Sequence, residues 1–191
     1  MRHVLLQVLT LCAALVMPPG VTAARSQDVA DGGLVRIDPD LIAELVFGIY
    51  CAEDPVRTED APETASGVIN IVPDLPRIRF AQNVVPAALD VGFGVLSRAP
   101  DGMTHDPVTI TVTHPPFPGS GIEVERWTTR LGDGDFNLTG FSFDVPQELV
   151  TGTWTFSAHA GASELFHVVF EVVPPDMAAP VLAECQTGFT S

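Results

Sequence analysis

The chain contains no lysine among its 191 residues, and this absence excludes several kinds of chemistry. A phosphate-binding P-loop, a Schiff-base enzyme and an acyl-enzyme of the Ser-x-x-Lys type each need a lysine at a fixed position. The motifs Gly-x-Ser-x-Gly, His-Glu-x-x-His and Cys-x-x-Cys are missing as well. The sequence therefore offers no recognisable catalytic set, and it implies no cofactor.

Positive charge is scarce, and negative charge is abundant. The chain has nine arginines against 24 Asp plus Glu, for a formal net charge of −15. A surface this acidic repels phosphate backbones and anionic lipids, so nucleic acid is not an expected partner. This negative charge can serve the solubility of an exported protein, or it can form an acidic binding face for a cationic partner.

The first 23 residues have the pattern of a secretory signal peptide. Arg2 precedes an apolar run that ends at Pro18, and small residues follow up to Ala23, where we expect cleavage. The apolar run is shorter than the roughly 20 residues that a spanning helix needs. The alternative is an uncleaved membrane anchor. We expect a mature chain in the periplasm or outside the cell, with no membrane insertion after cleavage.

Two cysteines remain after this cleavage, Cys51 and Cys185. An even pair in an oxidising compartment is most simply a disulfide. Two buried free thiols are the alternative, because cysteine is among the most buried residue types. The pattern favours the disulfide.

Strict alternation of apolar and polar residues marks a hairpin between Thr153 and Val173. One face carries only apolar side chains: Trp154, Phe156, Ala158, Phe166, Val168, Phe170 and Val172. Strand side chains alternate between faces, so this pattern indicates an antiparallel pair whose apolar face is covered by a second layer. With many glycines and prolines between short apolar runs, it predicts an all-β, immunoglobulin-like antiparallel β-sandwich of about seven to nine strands.

This sandwich is expected to span residues 41–175 as a single domain. Residues 24–40 are predicted to be a flexible segment, and residues 176–191 a C-terminal tail. Between Val124 and Trp127 the apolar residues change parity, which predicts a bulge or twist in that strand. Gly92 and Gly94 indicate close approach of another backbone, or a bulge.

Several short fragments, in order along the chain, resemble the bacterial family known as domain of unknown function 3859. The fragments are Gly48–Cys51, Ala61–Pro62, Phe93–Val95, Val112–Pro115, Glu125–Trp127, Phe143–Asp144 and Glu148–Phe156. The resemblance implies a single exported β domain with no established activity. It implies no catalytic residues.

Two patterns raise the question of a metal ion. The segment from Asp133 to Asp144 places oxygen-bearing side chains at four positions of a calcium loop, Asp133 and Asp135 among them, but Leu138 stands where that loop needs glycine. A polar hairpin turn is the favoured interpretation. His159 and His167 flank the turn of the main hairpin on its polar face, where Glu164 could join them around zinc. Surface histidines are the favoured interpretation there.

His114 follows the inward parity of its strand and stands beside Pro115. A hydrogen-bonded histidine that closes the core is the simplest interpretation, and a catalytic base is the alternative. The hypothesis that follows is a non-catalytic periplasmic module that binds a protein, peptide or glycan. Its candidate binding residues are His159, His167, His114, Asp133 and Asp135. The alternative is a metal-assisted periplasmic hydrolase, and the residues that it could use are His105, Asp106, His114 and Glu125.

Overall fold

The structure is a computed structural model, and it describes residues 33–132 and 134–187. The predicted signal peptide and Asp133 lie outside the described residues. The elements, in chain order, are β1 Val35–Ile37, β2 Glu44–Cys51, β3 Arg57–Asp60, β4 Val68–Ile71, β5 Val84–Pro86, β6 Val91–Arg98, β7 Thr104–Thr113, β8 Val124–Gly132, β9 Asn137–Ser142, β10 Gly152–Ala160, β11 Ser163–Val173 and the helix α1 Ala179–Thr187.

These strands form two packed sheets and a separate hairpin. The larger sheet has the order β1-β11-β10-β7-β8, and β5 also pairs with β11; the smaller sheet has the order β2-β6-β9. The strands β3 and β4 form a separate two-stranded hairpin. The strand pairs are antiparallel except β5 with β11. The prediction of an all-β antiparallel sandwich is therefore confirmed.

The hairpin of β10 and β11 is the centre of the larger sheet, as the alternation predicts. Trp154 lies opposite Phe170, and Phe156 lies opposite Val168. The side chains assigned to the apolar face are all buried. A one-residue irregularity between Ala158 and His159 precedes the turn.

Aromatic rings join the two sheets. Phe93 of β6 is fully buried and lies 5.4 Å, between ring centroids, from Trp154 and 5.5 Å from Phe156, both on the opposite sheet. Phe170 of β11 lies 5.2 Å from the same ring, in an edge-to-face arrangement. Edge-to-face pairs of this kind add stabilisation beyond the burial of their area. The layer between the sheets is thus a continuous core.

The predicted bulge between Val124 and Trp127 is wrong. β8 pairs with β7 in unbroken register from Thr113 opposite Val124 to Val108 opposite Thr129, and the irregularity falls in β7 between His105 and Val108. Because the alternation is continuous, the inward positions of β8 begin with a carboxylate, Glu125, and the apolar Val124 is exposed. The change of parity between Val124 and Trp127 therefore reflects the buried side chain of Glu125 and not a bulge.

Both segments outside the predicted domain contain regular structure. β1, in the segment expected to be flexible, pairs with β11 and so completes that edge of the larger sheet. The segment expected as a tail forms α1, which packs Val181 into the core. Cys185 of α1 is joined to Cys51 at the end of β2 with Cα atoms 5.1 Å apart, so the predicted disulfide is present. No described helix has the length and apolar character needed to span a membrane.

Candidate functional site

A large groove, called here the acidic groove, is lined by β8, β9, the β3–β4 hairpin and the segments that connect them. Its volume is about 1450 Å³. Further walls come from residues 51–55, Phe117 to Ser120 in the loop before β8, Asp144 to Glu148 after β9, and the Glu184–Cys185 end of α1. The groove therefore lies where the edge strands of the two sheets, β8 and β9, meet the hairpin.

Two contacts hold the β3–β4 hairpin over this groove. The backbone N–H of Arg126 in β8 donates to the carbonyl of Glu63, 3.0 Å away. The side-chain amide of Asn70 donates to Oδ2 of Asp144 at 2.9 Å. The first contact is an isolated bridge and not the start of a ladder. The hairpin thus spans from one sheet to the other and leaves space beneath it.

Carboxylates outnumber arginines in the lining of the acidic groove. Eight of the residues that line it are Asp or Glu, and three are Arg. Burial raises the pKa of Asp144 above its ordinary value, although the hydrogen bond from Asn70 opposes this shift, and the charge of Asp90 adds to it. Burial also raises the pKa of Glu148. The charges of Asp144 and Glu125 raise it further, against the effect of two hydrogen bonds from backbone N–H groups. The groove is therefore a region of negative potential.

The most buried carboxylate of the groove belongs to Glu125. Its side chain is 8% exposed, and its Oε1 atom lies 3.6 Å from Nε2 of His114, whose side chain is fully buried. At this separation neither atom has a hydrogen-bond partner. The Nδ1 atom of His114 lies 2.8 Å from the carbonyl oxygen of Pro115. A carbonyl can only accept, so Nδ1 carries a proton.

Two aromatic rings contact His114. The centroid of its imidazole lies 4.0 Å from that of Phe117 and 4.5 Å from that of Trp154, and the two aromatic rings also contact each other, 6.0 Å apart. The indole N–H of Trp154 donates to the carbonyl of Val150 at 3.3 Å, which fixes that ring. The expectation that His114 is a hydrogen-bonded histidine at the edge of the core agrees with this geometry. The structure adds that it lies against a carboxylate of the groove.

Tyr50 of β2 also lines the groove, and its ring occupies space that two glycines provide. A Cβ atom on Gly92 would lie 2.1 Å from the Tyr50 ring, and one on Gly140 would lie 2.4 Å from the Tyr50 hydroxyl oxygen. Burial raises the pKa of Tyr50 to about 12. At Gly94 a Cβ would instead meet the β9 backbone, 2.3 Å from the Thr139 carbonyl oxygen, which is the close approach that the sequence indicates.

The two histidines of the main hairpin lie on another face of the larger sheet. His167 lies opposite Ser157 on β10, as the predicted pairing requires, and opposite Arg36 on β1. Glu164, the carboxylate that zinc would need, receives two hydrogen bonds from Arg36, each 3.1 Å long. This contact lowers the pKa of Glu164, whereas burial and then the charge of Arg36 lower the pKa of His167. On this face, Arg36 and Glu164 form an ion pair beside the two histidines.

The residues of the predicted hydrolase do not come together. His105 is in the first part of β7, opposite Leu131, and its ring Nε2 contacts the carbonyl of Leu41, whereas His114 follows the other end of the same strand. Nine residues of strand separate the two histidines by about 30 Å. Asp106 lies beside His105, so the four-residue cluster is not formed. Of the four residues, His114 and Glu125 are brought together from distant positions in the sequence, 3.6 Å apart.

The described residues form neither the calcium loop nor the zinc site that the sequence patterns raised. Asp135 is exposed, and its carbonyl accepts a hydrogen bond from the Asn137 side chain, as in a polar turn. Within residues 33–132 and 134–187, no three His, Cys, Asp or Glu side chains are grouped as metal ligands. The acidic groove, which sequence reasoning missed, is the concave feature that brings chemically distinctive side chains together. The parity change at Glu125 was its visible signal.

Comparison with known proteins finds a family and a similar solved structure. The family model described as "Domain of unknown function (DUF3859)" matches residues 40–172. A crystal structure of an immunoglobulin-like protein from Pseudomonas aeruginosa is similar, with 21% identity over 74% of this chain and 100% of that one, at a TM-score of 0.49. A search of curated proteins finds no match. Because the family model covers most of the described domain, the chain belongs to the family of domain of unknown function 3859.

Proposed function

We propose that this chain is an exported, non-catalytic module whose acidic groove binds an extended, positively charged peptide segment of a partner protein. The observation that carries the proposal is the groove of about 1450 Å³ along the edge strand β8. Peptides commonly bind to β proteins by adding a strand to an exposed sheet edge. Export rests on the signal-peptide pattern, and the Cys51–Cys185 disulfide fits an oxidising compartment.

The edge of β8 supplies the backbone groups for such pairing. The N–H of Arg126 points away from β7, because it donates to Glu63. Backbone groups alternate in direction along a strand, so the N–H and carbonyl of Thr128 point the same way. Beside Thr128 the hairpin diverges from β8 and leaves a second cavity of about 290 Å³. An added strand would meet unobstructed main chain at this position.

The charge of the groove selects the kind of peptide. Its lining has eight carboxylates and three arginines, and one of these arginines, Arg79, is paired with Glu184. Electrostatic complementarity speeds association and rejects partners of like charge. A basic segment therefore fits the groove, and an acidic one does not. The lining also contains Trp127, a partly exposed aromatic ring on which a long side chain can pack.

The test uses two capped eight-residue peptides that alternate valine with a second residue, arginine in one and glutamate in the other. Isothermal titration calorimetry is expected to show binding of the arginine peptide and none of the glutamate peptide. The variant Thr128→Pro removes the outward N–H, and proline is tolerated at this kind of edge position. It is expected to abolish binding.

Thr128→Ala is the matched control, because it changes the same side chain and keeps the N–H, and it should bind as the original chain does. Equal binding by Thr128→Pro and Thr128→Ala would refute pairing with β8. If the peptides do not bind and a glycan array gives a ligand, the peptide proposal is wrong. Export is checked separately by N-terminal sequencing of the secreted product, which should begin at Ala24.

A further inference from the structure

We propose that Glu125, with His114 behind it, forms a subsite in the acidic groove that receives one cationic side chain of the bound peptide, a guanidinium or an ammonium group. The inference rests on the proposed function and names the residue that gives it specificity. Glu125 would contact the ligand directly. His114 would position the carboxylate.

The first argument is the cost of burying the Glu125 carboxylate. A charge removed from water is unfavourable unless an opposite charge and hydrogen bonds compensate it. Glu125 is 8% exposed in its side chain, and its Oε1 has no hydrogen-bond partner. In the described part of the chain it forms no ion pair with an arginine, and the chain has no lysine. A cation from outside the chain would supply the missing compensation.

The second argument is the hydrogen bonding of His114. Its Nδ1 proton is donated to Pro115, so a neutral ring presents only a lone pair at Nε2. The atom that faces this lone pair is Oε1 of Glu125, 3.6 Å away, and two acceptors cannot bond to each other. The separation of 3.6 Å is also longer than a hydrogen bond, so His114 leaves Oε1 of Glu125 without a donor. Guanidinium and ammonium groups carry donors and no acceptors, which is the chemistry that this carboxylate needs.

The third argument is the surroundings of Glu125 in the groove. Glu125 lines the groove together with Phe117 and Trp127. Trp127 is two residues further along β8 and therefore lies on the same face, about 7 Å away along the strand. Cations are attracted to the faces of aromatic rings, and guanidinium groups stack on them most readily. A carboxylate beside aromatic surface is thus a suitable receptor for an arginine side chain.

The experiment compares two capped eight-residue peptides of valine and threonine that differ at one central position, arginine in one and its neutral isostere citrulline in the other. For the original chain, replacing arginine by citrulline is expected to weaken binding by about tenfold or more, the usual effect of losing a charged hydrogen bond. Glu125→Gln should weaken binding of the arginine peptide by a similar factor and change binding of the citrulline peptide little. Glu123→Gln is the matched control, since Glu123 is exposed and outside the groove lining, and it should bind both peptides as the original chain does.

Equal affinity for the two peptides, or an equal loss for both peptides in Glu125→Gln, would overturn the subsite. If Thr128→Pro still abolishes binding in that case, strand pairing stands without it. If neither peptide binds but the valine–arginine peptide does, the subsite fails and the proposed function stands; if that peptide does not bind either, both fail.

A second measurement does not depend on a variant that folds. In the NMR spectrum of the original chain, the ring signals of His114 should shift on addition of the arginine peptide and stay in place with the citrulline peptide. Unchanged His114 signals with both bound peptides would also overturn the proposal.

Discussion

Replacement of Cys51 and Cys185 by alanine removes a covalent link between β2 and α1, and the loss of stability can be worked out from the chain. The two residues are 134 positions apart. On the chain-entropy model a closed loop of this length lowers the entropy of the unfolded state by an amount worth about 5 kcal/mol at 25 °C. Removal of a native disulfide costs about 2 to 5 kcal/mol in practice, so we expect a loss in this range.

The structure also predicts where the loss is felt first. α1 has nine residues, which is too short for a stable isolated helix. It is held by the disulfide and by the contact of Val181 with the core. Without the disulfide, amide hydrogen exchange in α1 should accelerate more than exchange in β10 and β11, because the central hairpin opens only with global unfolding.

Urea unfolding followed by tryptophan fluorescence measures the effect. The double alanine variant is compared with the original chain before and after treatment with dithiothreitol, and the reduced chain should match the variant. The slope of unfolding free energy against urea should increase, because an uncrosslinked unfolded chain exposes more surface. A loss below about 1 kcal/mol with an unchanged slope would refute this reasoning. Alkylation of both cysteines in the unreduced protein would show that the disulfide is not formed.

Two further predictions concern Tyr50. It is the single tyrosine of the chain, so absorbance at 295 nm follows its ionisation alone, and the midpoint should lie near pH 12 in the folded protein and near 10 in denaturant. Because burial raises the pKa of Tyr50 in the folded state, the contribution of the neutral Tyr50 hydroxyl to the free energy of unfolding is complete below pH 10 and is lost as the pH rises through about 12. A midpoint near pH 10 in the folded protein would contradict the burial of the ring. Gly92→Ala places a Cβ 2.1 Å from that ring and should cost about 1 to 3 kcal/mol in urea unfolding. In a Tyr50→Ala background the same substitution should cost little, and an equal cost in both backgrounds would show that the ring is not the obstacle.

Much of the fold follows from local patterns in the sequence. Alternation places Val108, Ile110 and Val112 in the core, as it does the apolar face of β10 and β11. The same reasoning fails for β1, which has three residues and owes its existence to pairing with β11. It fails again for α1, where packing against the core and a disulfide stabilise a helix with little amphipathic character of its own.

The candidate site was harder to predict, because its parts are distant in sequence. The sequence distinguishes His114 by its parity and offers Glu125 as a hydrolase candidate, but their contact depends on how the loop from Pro115 to Glu123 returns the chain to β8. His105 and Asp106 have equally suggestive residue types, but they lie at the opposite end of β7 from His114. Residue type alone did not distinguish the two groups.

The sequence by itself determined the strand pattern, the acidic balance, the absence of lysine chemistry and the pairing of two cysteines. These are consequences of composition and of a period of two along the chain, both of which are local. Only the tertiary structure decided that β8 turns Glu125 inward, that the β3–β4 hairpin bridges Arg126 and Asp144, and that a groove lies beneath it. These features depend on register and on contacts between distant strands, which no local pattern encodes.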